Sequence, residues 1–106
     1  MFTRSSAIKI SKEFILELKK QGFSPDRAVL FGSYANGRAH EHSDIDLAVW
    51  DRQFSGCLPA DIELIIPSKR KFHPLLEVHT FHPSENEKTN PFIGEIERTG
   101  IAIPIE

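Results

Sequence analysis

GSYANGRAHEHSDIDLAV, Gly32 to Val49, is the stretch whose reading decides the fold of this 106-residue chain. The apolar run RAVLF, Arg27 to Phe31, precedes it, bounded by Pro25 and Gly32, and reads as a short buried strand. Gly32 and Ser33 break that strand and open a helix start. A polar, glycine-containing stretch from Tyr34 to Ser43 follows, and then DIDLAVW, in which Ile45, Leu47 and Val49 alternate with Asp44, Asp46 and Ala48. Alternation with a period of two marks a second strand.

The residues of this unit suit phosphate and metal chemistry. Gly32 lets the backbone bend sharply and leaves room for a phosphate, while Ser33 offers a hydroxyl and an N–H, so the pair can hold a triphosphate tail. Asp44 and Asp46 stand two residues apart on a strand, so their carboxylates leave one face about 7 Å apart along the backbone. Hard oxygen ligands on a rigid strand suit magnesium, which keeps several waters and takes its remaining ligands from substrate phosphates. A third acid would complete such a site, and Glu77, the only acid within the third predicted strand, is the candidate. Two ions about 3.5 to 4 Å apart would then activate an attacking hydroxyl and neutralise the leaving pyrophosphate. Each element alone has a plainer meaning: Gly-Ser is commonly a turn, an Asp pair is commonly just solvated, and a strand glutamate is commonly a surface or ion-paired residue. Their combination at this spacing carries the chemical reading.

On the N-terminal side, Ile8, Ile10, Phe14, Ile15 and Leu18 recur at near-helical spacing up to Lys19, Lys20 and Gly22, predicting a helix from about Ser6 to Gln21. On the C-terminal side, LPADIELII, Leu58 to Ile66, predicts a helix that tolerates Pro59 in its first turn and ends at Pro67. PLLEVHTF, Pro74 to Phe81, predicts a third strand with Leu76, Val78 and Thr80 on one side and Leu75, Glu77, His79 and Phe81 on the other. The intervening helix is long enough to return this strand beside the second. A polar loop, Pro83 to Asn90, leads to a short helix, Pro91 to Thr99, stopped by Gly100, and IAIPI is a last strand that Pro104 assigns to a sheet edge. The five histidines are secondary: His40 and His42 lie in the loop before the Asp pair, His79 shares the face of Glu77, where it could act as a supporting group or base, and His73 and His82 flank the strand as surface residues. Trp50, Tyr34 and the eight phenylalanines read as core or interface residues.

Composition bounds the function classes. At 40% hydrophobic and 26% charged the chain fits one folded domain, residues 1–106, whose modest core makes oligomerisation a fair expectation. A net charge of -2 argues against a broad basic face for tracking nucleic acid, which is expected only as an acceptor, if at all. The lone Cys57 excludes an internal disulfide and suits the cytoplasm. Charged residues interrupt the N-terminal segment, and no run approaches the roughly 20 apolar residues of a membrane span, so no membrane association is expected.

GSYANGRAHEHSDIDLAV resembles the GSxAxGxxxxxSDxDLxV signature of the polymerase beta-like nucleotidyltransferase superfamily, especially its minimal members, the MNT domains. The resemblance implies an α+β fold, a small mixed sheet flanked by helices, and magnesium-dependent transfer of a nucleoside monophosphate, with AMP from ATP expected. It implies Asp44, Asp46 and, as third acid, Glu77 as catalytic metal ligands, and Gly32, Ser33, Arg38 and Ser43 as nucleotide-binding residues. Many relatives carry Arg or Lys where this chain has Asn36, which leaves Arg38 to meet phosphate charge, and their third acid is often Asp. MNT-like proteins commonly pair with a small helical HEPN protein in toxin-antitoxin modules, so the resemblance implies an antitoxin whose acceptor is held by such a partner. Two alternatives stay open: a catalytically weak module that neutralises or scaffolds a partner by contact, and a stand-alone transferase like those that inactivate aminoglycosides, which carry an extra domain absent from this length of chain.

Overall fold

A computed structural model describes residues 2–105. Four helices and four strands alternate in the order α1 (Arg4–Lys20), β1 (Arg27–Phe31), α2 (Ser33–Asn36), β2 (Ile45–Trp50), α3 (Leu58–Lys69), β3 (Leu76–Phe81), α4 (Pro91–Thr99) and β4 (Ile101–Ile103). They build a mixed sheet of strand order β3-β2-β1-β4, in which β1 runs antiparallel to both β2 and β4, while β2 and β3 are parallel. Parallel neighbours need a crossover, and α3 supplies it.

Strand alternation divides the core between the two sheet faces. Ala28, Leu30, Ile45, Leu47, Val49, Leu76 and Val78 point to the face covered by α1 and α3, where Phe14, Ile15, Leu18 and Ile65 close over them. Val29, Phe31, Ala48, Trp50 and Phe81 point the other way, under Ile93 and Ile96 of α4. Each fully buried side chain of this size contributes roughly 1.5–3 kcal/mol, so both layers are needed to hold the sheet. Trp50 stacks on Phe81 with centroids 4.9 Å apart, and the Arg27 guanidinium lies 4.1 Å from the Trp50 ring centroid.

The α+β architecture, β1 and α4 match the sequence-based expectations, and β4 lies at a sheet edge as Pro104 predicts. Strand β2 starts at Ile45, which leaves Asp44 just outside the strand on which the sequence places it, and β4 ends at Ile103, short of the predicted Ile105. Three further boundaries differ for local reasons. Helix α1 begins two residues early because Thr3 and Ser6 form a reciprocal cap: the Ser6 N–H donates to the Thr3 hydroxyl at 3.1 Å, and the Thr3 N–H to the Ser6 hydroxyl at 2.7 Å. Helix α3 runs through Pro67 instead of ending there. Proline removes one intrahelical hydrogen bond, but Ser68 in that last turn is fully buried and the Arg70 N–H still reaches the Ile66 carbonyl at 3.0 Å, so packing outweighs propensity. Strand β3 starts at Leu76, two residues after the predicted Pro74, because the Leu76 N–H turns back to the His73 carbonyl at 3.0 Å.

Candidate active site

The site lies where β1 ends and β2 and β3 begin. Phe31 pairs with Asp46, and Asp46 pairs with Glu77, so these three residues form one row across the sheet, on the face that carries α4. Asp44 lies just before β2, exposed, and the Ile45 N–H beside it anchors to the Leu75 carbonyl at 2.7 Å. The topology therefore gathers Asp44, Asp46 and Glu77 at one end of the sheet, as the parallel return of β3 requires. Their side chains do not converge: among the described residues no three His, Cys, Asp or Glu groups are positioned to hold a metal ion. Glu77 is exposed, and Asp46 is turned to His79, whose Nε2 lies 3.1 Å from Asp46 Oδ1. Backbone placement and hard-oxygen chemistry fit a divalent cation, and rotation of exposed carboxylates is what would close the set.

Gly32 shapes the other half of the site. Its backbone is at φ +74° and ψ -150°, a conformation that an L side chain rarely adopts. A Cβ there would stand 2.5 Å from Asp46 Oδ2. The glycine thus permits both the sharp turn and the close approach of the Asp46 carboxylate. Helix α2 follows as a single turn, in which the Ala35 and Asn36 N–H groups both donate to the Gly32 carbonyl at 3.1 Å. One turn sums little helix dipole, so any phosphate here would rely on individual N–H groups and the Ser33 hydroxyl.

Arg4, which the sequence does not single out, braces this turn from α1. Its guanidinium donates to the Tyr34 carbonyl at 3.2 Å and the Ala35 carbonyl at 2.9 Å, satisfying α2 carbonyls that a single turn leaves without partners. Only its charge ahead of the predicted helix is visible in the sequence, since its partners lie 30 and 31 residues away. Asn36, in the position where relatives carry a basic residue, acts locally, accepting the Arg38 N–H on its Oδ1 at 3.0 Å and helping to close the turn. Arg38 itself is exposed. Ser43 is buried and staples the loop, its hydroxyl accepting the His40 N–H at 2.8 Å while its own N–H donates to the His40 carbonyl at 3.0 Å. His42 and His73 are exposed.

The family described as "Polymerase beta, Nucleotidyltransferase" matches residues 13–104, a span that takes in all four strands, the Gly32 turn and the acid row. No individual curated protein matches the sequence. The chain belongs to the polymerase beta nucleotidyltransferase family, whose members carry out nucleotidyl transfer and usually use a nucleoside triphosphate and a divalent metal.

Proposed function

We propose that this nucleotidyltransferase moves AMP from ATP, with magnesium, onto an acceptor presented by a partner protein, and that it serves as the antitoxin of an MNT/HEPN pair. The observation that carries the reading is the common row of Phe31, Asp46 and Glu77 beside the glycine-only turn at Gly32: backbone able to hold phosphate and oxygens able to hold a cation meet at one open sheet end. Asp44, Asp46 and Glu77 are the donors for magnesium, which when bound offsets phosphate charge and makes an attacking hydroxyl more acidic. The chain's own groups orient the triphosphate: the Ser33 hydroxyl and backbone bind its tail, Arg4 holds that turn in place, and Arg38 is the nearest exposed cation along the loop. Gly32 keeps Asp46 close enough to act on the same phosphates.

A partner is supported by the surface of α3, where Ile62, Leu64 and Ile66 are each more than 40% exposed. An open cavity of about 430 Å³ runs along it between Ile62, Ile66, Phe72 and Pro74, with Arg70 at its edge. Apolar surface of this kind on so small a chain favours contact with another protein, a small helical HEPN-like one or a second copy. Among the described residues no helix is long and apolar enough to cross a membrane. A triphosphate substrate belongs to the cytoplasm, and the exposed, free Cys57 suits a reducing compartment.

The second reading, a module that silences its partner by contact alone, is favoured by one observation: the acids are not drawn together, and Asp46 is held by His79. Transfer of label from alpha-labelled ATP into proteins and RNAs of a host extract separates the two. A labelled band with wild type that Asp44→Asn, Asp46→Asn abolishes supports the enzyme and identifies the acceptor class. A partner captured and silenced equally by both proteins, without label, establishes the binding module.

A further inference from the structure

Phe92 stands out among the large apolar side chains exposed at the surface because it is the aromatic one and lies beside the acid row. The others, Leu16, Ile62, Leu64 and Ile66, belong to α1 and α3 on the opposite sheet face. Phe92 occupies the first turn of α4, where Asn90 caps its N–H at 3.1 Å, and it is 43% exposed although Ile93 and Ile96 of the same helix are fully buried. The α4 core stripe is thus complete without burying its ring. Phe92 meets Phe31 at 5.6 Å and 79° between planes, and His79 at 6.2 Å and 61°, while Phe31 and His79 meet at 4.9 Å. These edge contacts hold the Phe92 ring from below and leave part of its surface to solvent. His79 in turn touches Asp46, and Phe31 directly precedes Gly32. Ring, carboxylate and phosphate turn therefore form one contiguous strip.

We propose that the exposed ring of Phe92 is the stacking platform for the nucleobase of the triphosphate, an inference that rests on the nucleotidyl-transfer reading. The chemistry of the two ends fixes the direction in which the nucleotide lies. On the α4 side Arg98 is engaged by Glu95 at 2.7 Å and Arg27 by Glu97 at 3.0 Å, so these cations are already neutralised and the ring offers an apolar surface. The polyanionic tail goes to Gly32 and Ser33, and the uncharged base goes to Phe92. Stacking on a phenyl ring tolerates any base, so the platform contributes affinity for the nucleoside without selecting which one.

The test uses the full chain with magnesium and two probes, ATP and inorganic tripolyphosphate. Phe92→Ala is expected to weaken ATP about tenfold and leave tripolyphosphate binding unchanged, and Phe92→Trp to restore ATP affinity. In Phe92→Trp the new indole is expected to lose emission on adding ATP but not tripolyphosphate, against the background of Trp50, which is buried on Phe81. Unchanged ATP affinity in Phe92→Ala, with tripolyphosphate still bound, overturns the platform and leaves the transferase reading standing. Equal weakening of both probes overturns it too, since the ring would then support the site as a whole. Binding of neither probe to wild type overturns both the platform and the reading beneath it.

Discussion

Carboxylates stand at both ends of the β2–β3 pair, and the two ends treat them in opposite ways. Near the far end, Asp61 of α3 is 2% exposed and fully partnered: Oδ1 accepts the Ser55 N–H at 2.8 Å and hydroxyl at 2.9 Å, and Oδ2 accepts the Gly56 N–H at 3.1 Å and the Thr80 hydroxyl at 2.8 Å. Burial works to raise its pKa, but the Ser55, Thr80 and Gly56 hydrogen bonds outweigh it and hold the carboxyl below its ordinary value. At the near end, Asp46 has one side-chain partner, His79, and Asp44 and Glu77 stay exposed. A carboxylate with every lone pair occupied stabilises the fold and has nothing left to offer a ligand. Carboxylates held by the backbone but unsatisfied at their oxygens are available for chemistry.

The largest effect that would break this contrast is on stability. Asp61→Ala leaves four donors without their acceptor, the buried Thr80 hydroxyl among them, and a loss of about 3 kcal/mol in urea unfolding is expected, with metal and nucleotide binding of the folded fraction unchanged. A loss below about 1 kcal/mol would show that the two ends are not so different. Gly32→Ala should be milder for the fold and severe for the site. The positive φ costs roughly 1–3 kcal/mol, and the new methyl displaces the Asp46 carboxylate, so transfer should fall by at least about tenfold even where unfolding shows the protein intact. The smallest effect is in acid. Because the Asp61 pKa is depressed on folding, its contribution is complete above the unfolded value of about 4 and disappears as pH falls through the lower folded-state value. The stability gap between wild type and Asp61→Asn should therefore narrow as pH falls below about 4. A gap that widened instead would reverse the sign of the argument.

Much of the near end is legible in the sequence alone. Gly32, Ser33, Asp44 and Asp46 fall within fifteen residues of chain, and the alternation of Ile45, Leu47 and Val49 orients Asp46 without tertiary information. Glu77 can be nominated because β3 contains no other acid, and the register puts it directly beside Asp46. Asp61 is not legible. It sits in LPADIELII, an apolar run in which Asp61, like Glu63, looks like a solvated helix residue, and only the fold brings Thr80, 19 residues on, against it. Pro67 misleads for a related reason: local propensity ends a helix there, while the buried Ser68 holds the next turn in place.

The sequence by itself determined the order of the elements, the turn at Gly32 and the face on which Asp46 and Glu77 lie, because these follow from backbone freedom at glycine and from a period of two. Only the tertiary structure decided which groups meet. Asp46 with His79 spans 33 residues, Arg4 with Ala35 spans 31, and the exposure of Phe92 depends on where α4 lands on the sheet. Such contacts arise from strand pairing and layer packing, which join segments whose local patterns carry no record of one another.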